Sequence, residues 1–361
     1  MNPSSDLRSR LRRFLRADVQ GMHAYAVQDS RGLVKLDAME NPYTLPASLQ
    51  AELGRRLGEA AINRYPAQRA EDLRQALARH VGLPAGCELM LGNGSDELIS
   101  LLTLAADLPG NRVLAPVPGF VMYEMSAKLQ GLAFVGVPLT EDFELDAKAM
   151  LAAIEAHQPA LIWLAYPNNP TANLWDEATI RAIVEAAPGL VVMDEAYQPF
   201  AARDSMALLE RFDHVLVMRT LSKFGLAGVR IGYLMGRAGV IAEIDKLRPP
   251  YNISVLNAEA GLFALEHAAV YAAQAAAIRT ERERVRSELM QLSAVQAFKS
   301  EANMILVRVP DAARCFAGMK ARGVLVKSVA GLHPLLANCL RLTIGTPDEN
   351  QAMLKAFKES L

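Results

Sequence analysis

Short runs of β-branched and other apolar residues alternate with helical patterns from about residue 69 to residue 250. The candidate strands are Glu88–Leu91, Arg112–Ala115, Phe134–Val137, Leu161–Leu164, Leu190–Met193, Val215–Met218 and Arg230–Leu234. Helical patterns between many of them are Asp96–Ala106, Val121–Gln130, Ala147–His157 and Glu177–Ala187. Because this alternation is typical of crossover connections, it predicts an α/β fold with a mostly parallel sheet covered by helices on both faces.

The pattern changes after Pro249 and Pro250. An Ala-rich stretch over residues 258–278 indicates one long buried or half-buried helix, and helical sequence continues through Glu281–Leu292. Later elements are a strand at Asn303–Val309, a helix at Ala312–Arg322, short strands near Val324–Val326 and at Leu340–Ile344, and a helix from Pro347. Since 361 residues exceed one small core, we expect an arm at 1–35, a large domain at 36–250 and a small α+β domain at 251–361.

Charge and cysteine content exclude several functions. The 38 basic residues balance 39 acidic ones, so no surplus of positive charge favours nucleic acid or a membrane surface. Cys87, Cys315 and Cys339 are too few and too scattered for a disulfide framework or a metal site. Glu259, Glu266 and His267 interrupt the Ala-rich stretch, which argues against a membrane span. We therefore expect a cytoplasmic protein.

The N-terminal segment carries five arginines between residues 8 and 16 with apolar residues at helical spacing. A targeting peptide has a similar pattern, but flanking Asp6 and Asp18 favour an amphipathic arm helix that packs on the body of the protein. No apolar signal-peptide core is present in this segment.

Polar residues follow several candidate strands, at the edge where open α/β sheets bind ligands. Residues 92–97 (GNGSDE) follow the first strand and open a helix, a turn that suits an anion, although an ordinary N-cap at Ser95 explains it as well. Residues 167–171 (PNNPT) form a stiff loop that holds Asn169, and a plain turn is the alternative.

Asp194 and Lys223 are the most informative of these residues. Asp194 ends a run that has the composition of a buried strand, so its charge requires a cation that nearby sequence does not supply. Lys223 lies among hydroxyls and glycines, seven residues before Arg230. A desolvated lysine can lose its proton and attack a carbonyl, while Thr220, Ser222 and Arg230 suit a phosphate. Pyridoxal 5'-phosphate satisfies all of these demands, because it combines an aldehyde, a ring nitrogen, a phenolic oxygen and a phosphate.

The sequence also resembles a known family, the fold-type I pyridoxal-phosphate aminotransferases, along nearly the whole chain. Within that family it is most similar to the group that acts on histidinol phosphate. The segments that carry the resemblance are residues 36–43 (LDAMENPY), 63–66 (NRYP), 92–98 (GNGSDEL), 167–171 (PNNPT), 194–197 (DEAY), 220–223 (TLSK) and 341–346 (RLTIGT).

The resemblance implies roles around the cofactor. Lys223 would be the Schiff-base lysine and proton carrier, and Asp194 would pair with the pyridinium nitrogen. Asn169 and Tyr197 would bind the ring hydroxyl, and Phe120 would stack on the ring. The cofactor phosphate would be bound by Gly94, Ser95, Asp96, Thr220, Ser222 and Arg230, with Tyr65 reaching it from a neighbouring subunit.

The resemblance also implies the reaction and the partners. We expect a homodimer with shared active sites that transfers the amino group of L-histidinol phosphate to 2-oxoglutarate, giving imidazole acetol phosphate and glutamate. Arg341 would bind the substrate phosphate and, in the other half-reaction, the glutamate carboxylate. Tyr25, Tyr251 and Lys327 would be further substrate contacts. No metal is expected.

The sequence departs from the family pattern at three places. The segment from Lys223 to Arg230 is one residue shorter than the common spacing, which puts the phosphate contact of Arg230 in question. Ala172 stands where glycine is usual, and Met39 where asparagine is frequent. No departure removes a reacting group.

Other activities on the same scaffold stay open at the level of sequence. A threonine-phosphate decarboxylase or an aromatic-amino-acid aminotransferase would share most of these motifs, since the bond broken at Cα depends on substrate geometry. A non-catalytic regulator is the remaining alternative, and the balanced charge and the short N-terminal segment disfavour it.

Overall fold

The computed structural model describes residues 3–22 and 28–361. The chain divides into a short unit that ends at Gly32 and a large unit from Leu33 to Leu361. The described part of the short unit contains helices α1 (Pro3–Phe14) and α2 (Ala17–Gly21). A helix therefore lies where the sequence predicts the amphipathic arm helix, and the packing of that arm stays a prediction.

The large unit begins with β1 (Val34–Lys35) and contains a seven-stranded sheet. The strands of this sheet are β2 (Cys87–Gly92), β3 (Arg112–Val117), β4 (Ala133–Pro138), β5 (Leu161–Ala165), β6 (Leu190–Asp194), β7 (Val215–Thr220) and β8 (Gly232–Arg237). Their order is β2-β8-β7-β6-β5-β3-β4. Pairs among β3 to β7 are parallel and β8 is antiparallel to both neighbours, so the predicted mostly parallel sheet is confirmed.

Helices cover both faces of this sheet. They are α4 (Ala67–Val81), α5 (Ser95–Ala105), α6 (Val121–Gln130), α7 (Ala147–His157), α8 (Glu177–Ala186), α9 (Met206–Arg211) and α10 (Ala238–Asp245). The helix before them, α3 (Ala47–Glu59), has no buried residue. Every residue of β5 and β7 is buried, as expected for central parallel strands between two helical layers. Separate apolar clusters fill the two faces, one around Ile162 and Val217 and the other around Trp163 and Leu216.

The Ala-rich stretch is where the prediction of one long helix is wrong. The structure has α11 (Val255–Glu266) and α12 (Ala268–Met290), which meet at His267 with a bend of 76°. The bend has a packing reason. Leu262 lies in the apolar cluster of the large sheet, whereas Ile278 and Val285 lie in a second cluster with the C-terminal strands, so the chain changes direction between two cores.

The C-terminal part contains a second, four-stranded antiparallel sheet. Its elements are β9 (Gln296–Ala297), β10 (Met304–Arg308), α13 (Ala312–Ala321), β11 (Val324–Leu325), β12 (Lys327–Ser328), β13 (Cys339–Thr343) and α14 (Pro347–Lys358). β11 is outside that sheet and pairs in parallel with β1. Strand β1 has no signal in the sequence, because two residues paired some 290 positions away leave no local pattern.

Arg230 is a further correction to the predicted elements. The predicted strand Arg230–Leu234 begins only at Gly232, because Arg230 has a left-handed backbone with φ of 55°. For membrane spanning, no single helix among the described residues is long and apolar enough, while the bent pair α11 and α12 passes by length and composition alone.

Candidate active site

A cavity of about 340 Å³ lies at the carboxyl ends of the central strands. The predicted site residues that line it are Ser95, Asp96, Phe120, Asn169, Asp194, Tyr197, Thr220, Ser222, Lys223 and Arg230. They come from five different strand ends or the helices that follow them. The topology of the sheet therefore gathers residues that are up to 135 positions apart, from Ser95 to Arg230, around one space.

Lys223 is held with its amine in this cavity. It lies in the tight turn Ser222–Leu226 that follows β7, and its Nζ donates to the carbonyl of Ala38 at 3.0 Å. The amine also lies 5.9 Å from the centre of the Tyr197 ring. Burial, with a contribution from Arg341, lowers the pKa of Lys223 to about 8. At pH 7 about a tenth of this amine is therefore uncharged, far more than for an ordinary lysine, which favours a nucleophile or a base.

Asp194 closes the opposite wall as a buried carboxylate. Its Oδ2 accepts a hydrogen bond from the Tyr123 hydroxyl at 2.5 Å, and its Oδ1 accepts one from the Ala196 amide at 3.1 Å. Within residues 3–22 and 28–361, no ion pair reaches it. Burial raises the pKa of Asp194 to about 6 despite the two hydrogen bonds. Among the described residues, the hydrogen bonds to this acid thus come from neutral groups.

Asn169 and Tyr197 line the same cavity. Asn169 Oδ1 accepts from Arg341 Nη1 at 2.8 Å, so the amide is oriented and its NH₂ group is left as a donor. Burial raises the pKa of Tyr197 well above the usual value, which keeps its phenol protonated. Both side chains are therefore hydrogen-bond donors at the cavity wall.

The start of α5 forms an anion cradle. Gly94 has φ of 78°, and a Cβ there would meet the Arg230 guanidinium at 2.5 Å. A Cβ on Gly232 would lie 2.6 Å from the Ser95 amide nitrogen, so two glycines allow strand, turn and helix to approach closely. Arg230 Nη2 lies 3.2 Å from Asp96 Oδ2, beside the free N–H groups of the first helical turn. The shorter loop thus still brings Arg230 to this end of the cavity.

Four predicted substrate or partner contacts do not line this cavity. Tyr65 and Tyr251 stack on each other with centroids 4.4 Å apart, and they are 78% and 51% exposed. Arg341 donates Nη2 to the Asp37 carbonyl at 2.7 Å, behind Asn169. Lys327 is paired with Arg341 across β12 and β13. Tyr25 lies outside the described residues.

The structure adds residues that the sequence analysis did not assign. Ala38 and Glu40 line the cavity from the segment after β1, and the negative charge of Glu40 acts to raise the pKa of Lys223 against the effect of burial. Tyr123 lies behind Asp194. Its position one helical turn after Phe120 is a sequence signal that could have found it, because residues three apart share a helix face.

Two of the departures from the family pattern share one backbone feature. Ala172 has φ of 64° and Met39 has φ of 52°, in the left-handed region that favours glycine and asparagine. Both residues are buried in the cluster of the C-terminal sheet. The backbone conformation is therefore kept while the residue types that adopt it most easily are replaced.

Metal chemistry has no visible basis in the part of the chain that the structure describes. No group of three or more His, Cys, Asp or Glu side chains there is arranged to hold a metal ion. What the cavity does offer is an amine of lowered pKa, a buried acid without a cation, two neutral donors and an anion cradle.

The chain belongs to the class I and II aminotransferases, since the model of that family matches residues 31–357. This confirms the fold-type I aminotransferase architecture predicted from the motifs. Among curated proteins, it is similar to the histidinol-phosphate aminotransferase of Methylibium petroleiphilum, with 68% identity over 360 residues covering 99% of this chain and 97% of the relative. The enzyme of the same name from Polaromonas naphthalenivorans is 62% identical over 362 residues, covering 99% of both chains.

Solved structures agree with this placement. The histidinol-phosphate aminotransferase from Sinorhizobium meliloti in complex with pyridoxal-5'-phosphate matches with a TM-score of 0.83 at 25% identity, covering 96% of this chain and 97% of that one. The histidinol-phosphate aminotransferase from Clostridium acetobutylicum matches with a TM-score of 0.83 at 21% identity, covering 91% and 98%. The second match shows the shared fold.

Proposed function

We propose that this chain transfers the amino group of L-histidinol phosphate to 2-oxoglutarate, giving imidazole acetol phosphate and glutamate, in histidine biosynthesis. Pyridoxal 5'-phosphate is its cofactor. The names of the relatives at 68% and 62% identity support the substrate, and the cofactor-bound structure from Sinorhizobium meliloti supports the cofactor. The single observation that carries the proposal is one cavity holding both the Lys223 amine and the cation-free Asp194 carboxylate.

The residues fit pyridoxal 5'-phosphate on their own chemistry. A fully buried carboxylate costs several kcal/mol unless it meets a cation, and a protonated ring nitrogen is such a cation. Gly94 lets the Arg230 guanidinium come close to the first turn of α5, which places a cation beside the amides that suit an anion. When bound, the cofactor supplies an electrophilic aldehyde and a ring that withdraws electrons from the substrate Cα.

The chain's residues divide the work of holding this cofactor. Asp194 would keep the ring nitrogen protonated, Asn169 and Tyr197 would donate to the ring oxygen, and Phe120 would stack on the ring. The phosphate is held by the α5 cradle and neighbouring hydroxyls, which are Gly94, Ser95, Asp96, Thr220, Ser222 and Arg230. Support for the last contact is the position of the Arg230 guanidinium beside Gly94.

Lys223 has two functions. Its uncharged amine would hold the cofactor through the aldehyde, with loss of water. Nζ would also be the group that takes up and gives back the proton of the substrate Cα. The Ala38 carbonyl, 3.0 Å from Nζ, keeps the amine directed within the cavity.

Arg341 binds the anionic end of each substrate, because a guanidinium fork suits both the phosphate of histidinol phosphate and the carboxylate of glutamate. Lys327 shares its face of the sheet through the β12–β13 register. Tyr251 and Tyr25 complete the substrate contacts.

The assembly is a homodimer in which Tyr65 reaches the phosphate of the neighbouring active site. This proposal is supported by the stack of Tyr65 on Tyr251, since two exposed aromatic rings gain free energy when a partner covers them.

The division into an arm at 1–35, a large domain at 36–250 and a small domain at 251–361 is part of the proposal. The location is cytoplasmic, as three free buried cysteines suit a reducing compartment.

A donor panel tests the function. The purified chain with bound cofactor is mixed with 2-oxoglutarate and histidinol phosphate, phenylalanine, tyrosine, aspartate or threonine phosphate, and glutamate formation is measured. Histidinol phosphate should give a kcat/KM at least about tenfold above the others, a preference worth about 1.4 kcal/mol. Equal rates with phenylalanine, or release of carbon dioxide from threonine phosphate, would contradict the proposal.

Covalent trapping tests the cofactor site independently. Borohydride reduction of the yellow protein followed by peptide mapping should label Lys223. A label on any other lysine, or a colourless chain that pyridoxal 5'-phosphate does not reconstitute, would overturn the assignment.

A further inference from the structure

We propose that Tyr123 is a positioning residue for the cofactor, whose phenol fixes the Asp194 carboxylate in the place and the charge state that the ring nitrogen requires. The proposal deepens the proposed function and rests on it. Its basis is the 2.5 Å hydrogen bond from the Tyr123 hydroxyl to Asp194 Oδ2. Neither the motifs nor the family resemblance assigns a role to this residue.

The hydrogen bonds to Asp194 show how much depends on Tyr123. In the described chain, this carboxylate accepts one hydrogen bond from a side chain, that of Tyr123, and one from a backbone amide, that of Ala196 at 3.1 Å. An ionised carboxylate has about four acceptor positions. The two donors therefore fix both oxygens and still leave acceptor positions for a ring nitrogen.

The phenol is itself held in one place. The Tyr123 ring stacks on Trp163 with centroids 4.7 Å apart and planes 6° apart. Trp163 is fully buried on β5, and Tyr123 is buried as well. On its other side the ring meets the edge of Phe120 at 5.6 Å and 84°. Because aromatic contacts restrain the ring from two sides, the hydroxyl has little freedom to leave Asp194.

One helical turn thereby sets two features of the site. Phe120 caps the start of α6 and lines the cavity, and Tyr123 follows it three residues later on the same side of the helix. The first turn of α6 thus presents a ring towards the cofactor face and a donor towards the acid behind the cofactor nitrogen.

Electrostatics give the hydrogen bond its importance. Burial raises the pKa of Asp194 and the charge of Asp96 on α5 adds to this rise, while the Tyr123 donor opposes it. The other titratable group facing this pair is Tyr197, and burial raises its pKa and that of Tyr123 well above the usual value. Both phenols therefore stay neutral. Loss of the Tyr123 donor would raise the pKa of Asp194 further and favour its protonated form, and a protonated carboxyl cannot form an ion pair with a protonated ring nitrogen.

Tyr123→Phe tests the proposal, with Tyr166→Phe as a matched control. Tyr166 is equally buried, and its hydroxyl has no hydrogen-bond partner among the described residues. The pKa of Asp194 is measured in the cofactor-free chain by carbon-13 NMR of labelled aspartate, and Asp194→Asn identifies its signal. This pKa should be higher in Tyr123→Phe than in the unaltered chain, and it should not change in Tyr166→Phe. Equilibrium dialysis should show pyridoxal 5'-phosphate bound about ten- to a hundredfold more weakly.

The outcomes separate this proposal from the proposed function. An Asp194 pKa and a cofactor affinity that match those of Tyr166→Phe would overturn the role of Tyr123. Failure of the unaltered chain to bind pyridoxal 5'-phosphate would overturn the proposed function, while the pKa measurement would still decide whether Tyr123 holds Asp194. If Tyr123→Phe does not fold, Trp163→Phe is used instead, because it keeps the phenol but loosens it, and a smaller change in the same two readouts is expected.

Discussion

Asp194 and Glu195 are consecutive buried acids at the end of β6, and the chain treats them in opposite ways. Glu195 forms an ion pair with Arg219, with Arg219 Nε 2.8 Å from its carboxylate, and also accepts from the Ser205 amide. In the part of the chain that the structure describes, Asp194 has two neutral donors, Tyr123 and the Ala196 amide. Because successive side chains of a strand point to opposite faces, one acid faces the interior of the fold and the other the cavity.

The comparison shows how to tell a structural buried charge from a functional one. Burial raises the pKa of both acids. The charge of Arg219 counters that rise for Glu195, whereas no cation among the described residues does so for Asp194. Glu195 therefore belongs to the stability of the folded protein. Asp194 keeps an unmet demand for a positive charge, and we infer that a bound ligand meets it.

The largest expected effect is on stability, at the paired acid. Glu195→Gln should lower the free energy of unfolding of the cofactor-free chain by about 3–5 kcal/mol, because it leaves Arg219 buried without its main partner. Urea unfolding measures this. Glu177→Gln is the control, since it breaks a surface pair with Arg203 and should cost less than about 1 kcal/mol. If Glu195→Gln and Glu177→Gln lost the same free energy of unfolding, Glu195 would have no special role in stability, and its contrast with Asp194 would fail.

Asp194→Asn should show the reverse pattern. The chain should fold, whereas kcat/KM for histidinol phosphate should fall about 10²- to 10³-fold, because a neutral amide no longer holds the charge on the ring nitrogen. Steady-state kinetics measure this against Asp146→Asn, which alters an N-cap where asparagine serves as well as aspartate. Activity within tenfold of the unaltered chain would refute the functional role of Asp194.

The third prediction concerns the pH dependence of cofactor binding. Since the pKa of Lys223 is about 8, the rate at which the cofactor-free chain binds pyridoxal 5'-phosphate covalently should rise about tenfold per pH unit below pH 8 and level off above it. Stopped-flow absorbance measures the rate. Glu40→Gln removes a charge that raises this pKa, so the midpoint should move to lower pH. A rate that does not change between pH 6 and pH 8 would contradict the uncharged-amine model.

The smallest expected effect comes from removing the whole ion pair. Glu195→Met combined with Arg219→Met should cost clearly less than Glu195→Gln alone, about 1–2 kcal/mol, because no charge is left buried. What remains is the exposed Asp204 without Arg219 and the Ser205 amide without its acceptor. Urea unfolding again gives the answer. If the double variant lost as much free energy of unfolding as Glu195→Gln alone, the Glu195–Arg219 pair would contribute to stability beyond cancelling its two buried charges.

The strands and the residues just after them could be predicted from the sequence. The apolar run at residues 190–193 predicts a buried strand, and the polar Asp194 after it predicts where that strand ends. Both signals lie in neighbouring residues, so they can be found from the sequence. The same holds for Lys223 after β7 and Asn169 after β5. Parallel topology then brings these ends together without any further information.

What the sequence does not contain are contacts between distant residues. The bend at His267 depends on which of two cores each half of the Ala-rich stretch meets, and periodicity alone does not distinguish them. The Tyr123–Asp194 hydrogen bond joins residues 71 positions apart. The positions of Met39 and Ala172 in the left-handed region are invisible because both residue types usually avoid it.

The pairing of β1 with β11 has a consequence for how this protein is made. Residues 34–36 are hydrogen-bonded to residues 323–325, and the segment that follows them supplies the Ala38 carbonyl that contacts Lys223. During synthesis on the ribosome, β1 and the cavity wall that follows it are made early. Their partner strand β11 is made only after more than 320 residues. The nascent chain therefore completes this wall of the cavity only after β11 has been synthesised, and shortened products that lack β11 do not form that wall.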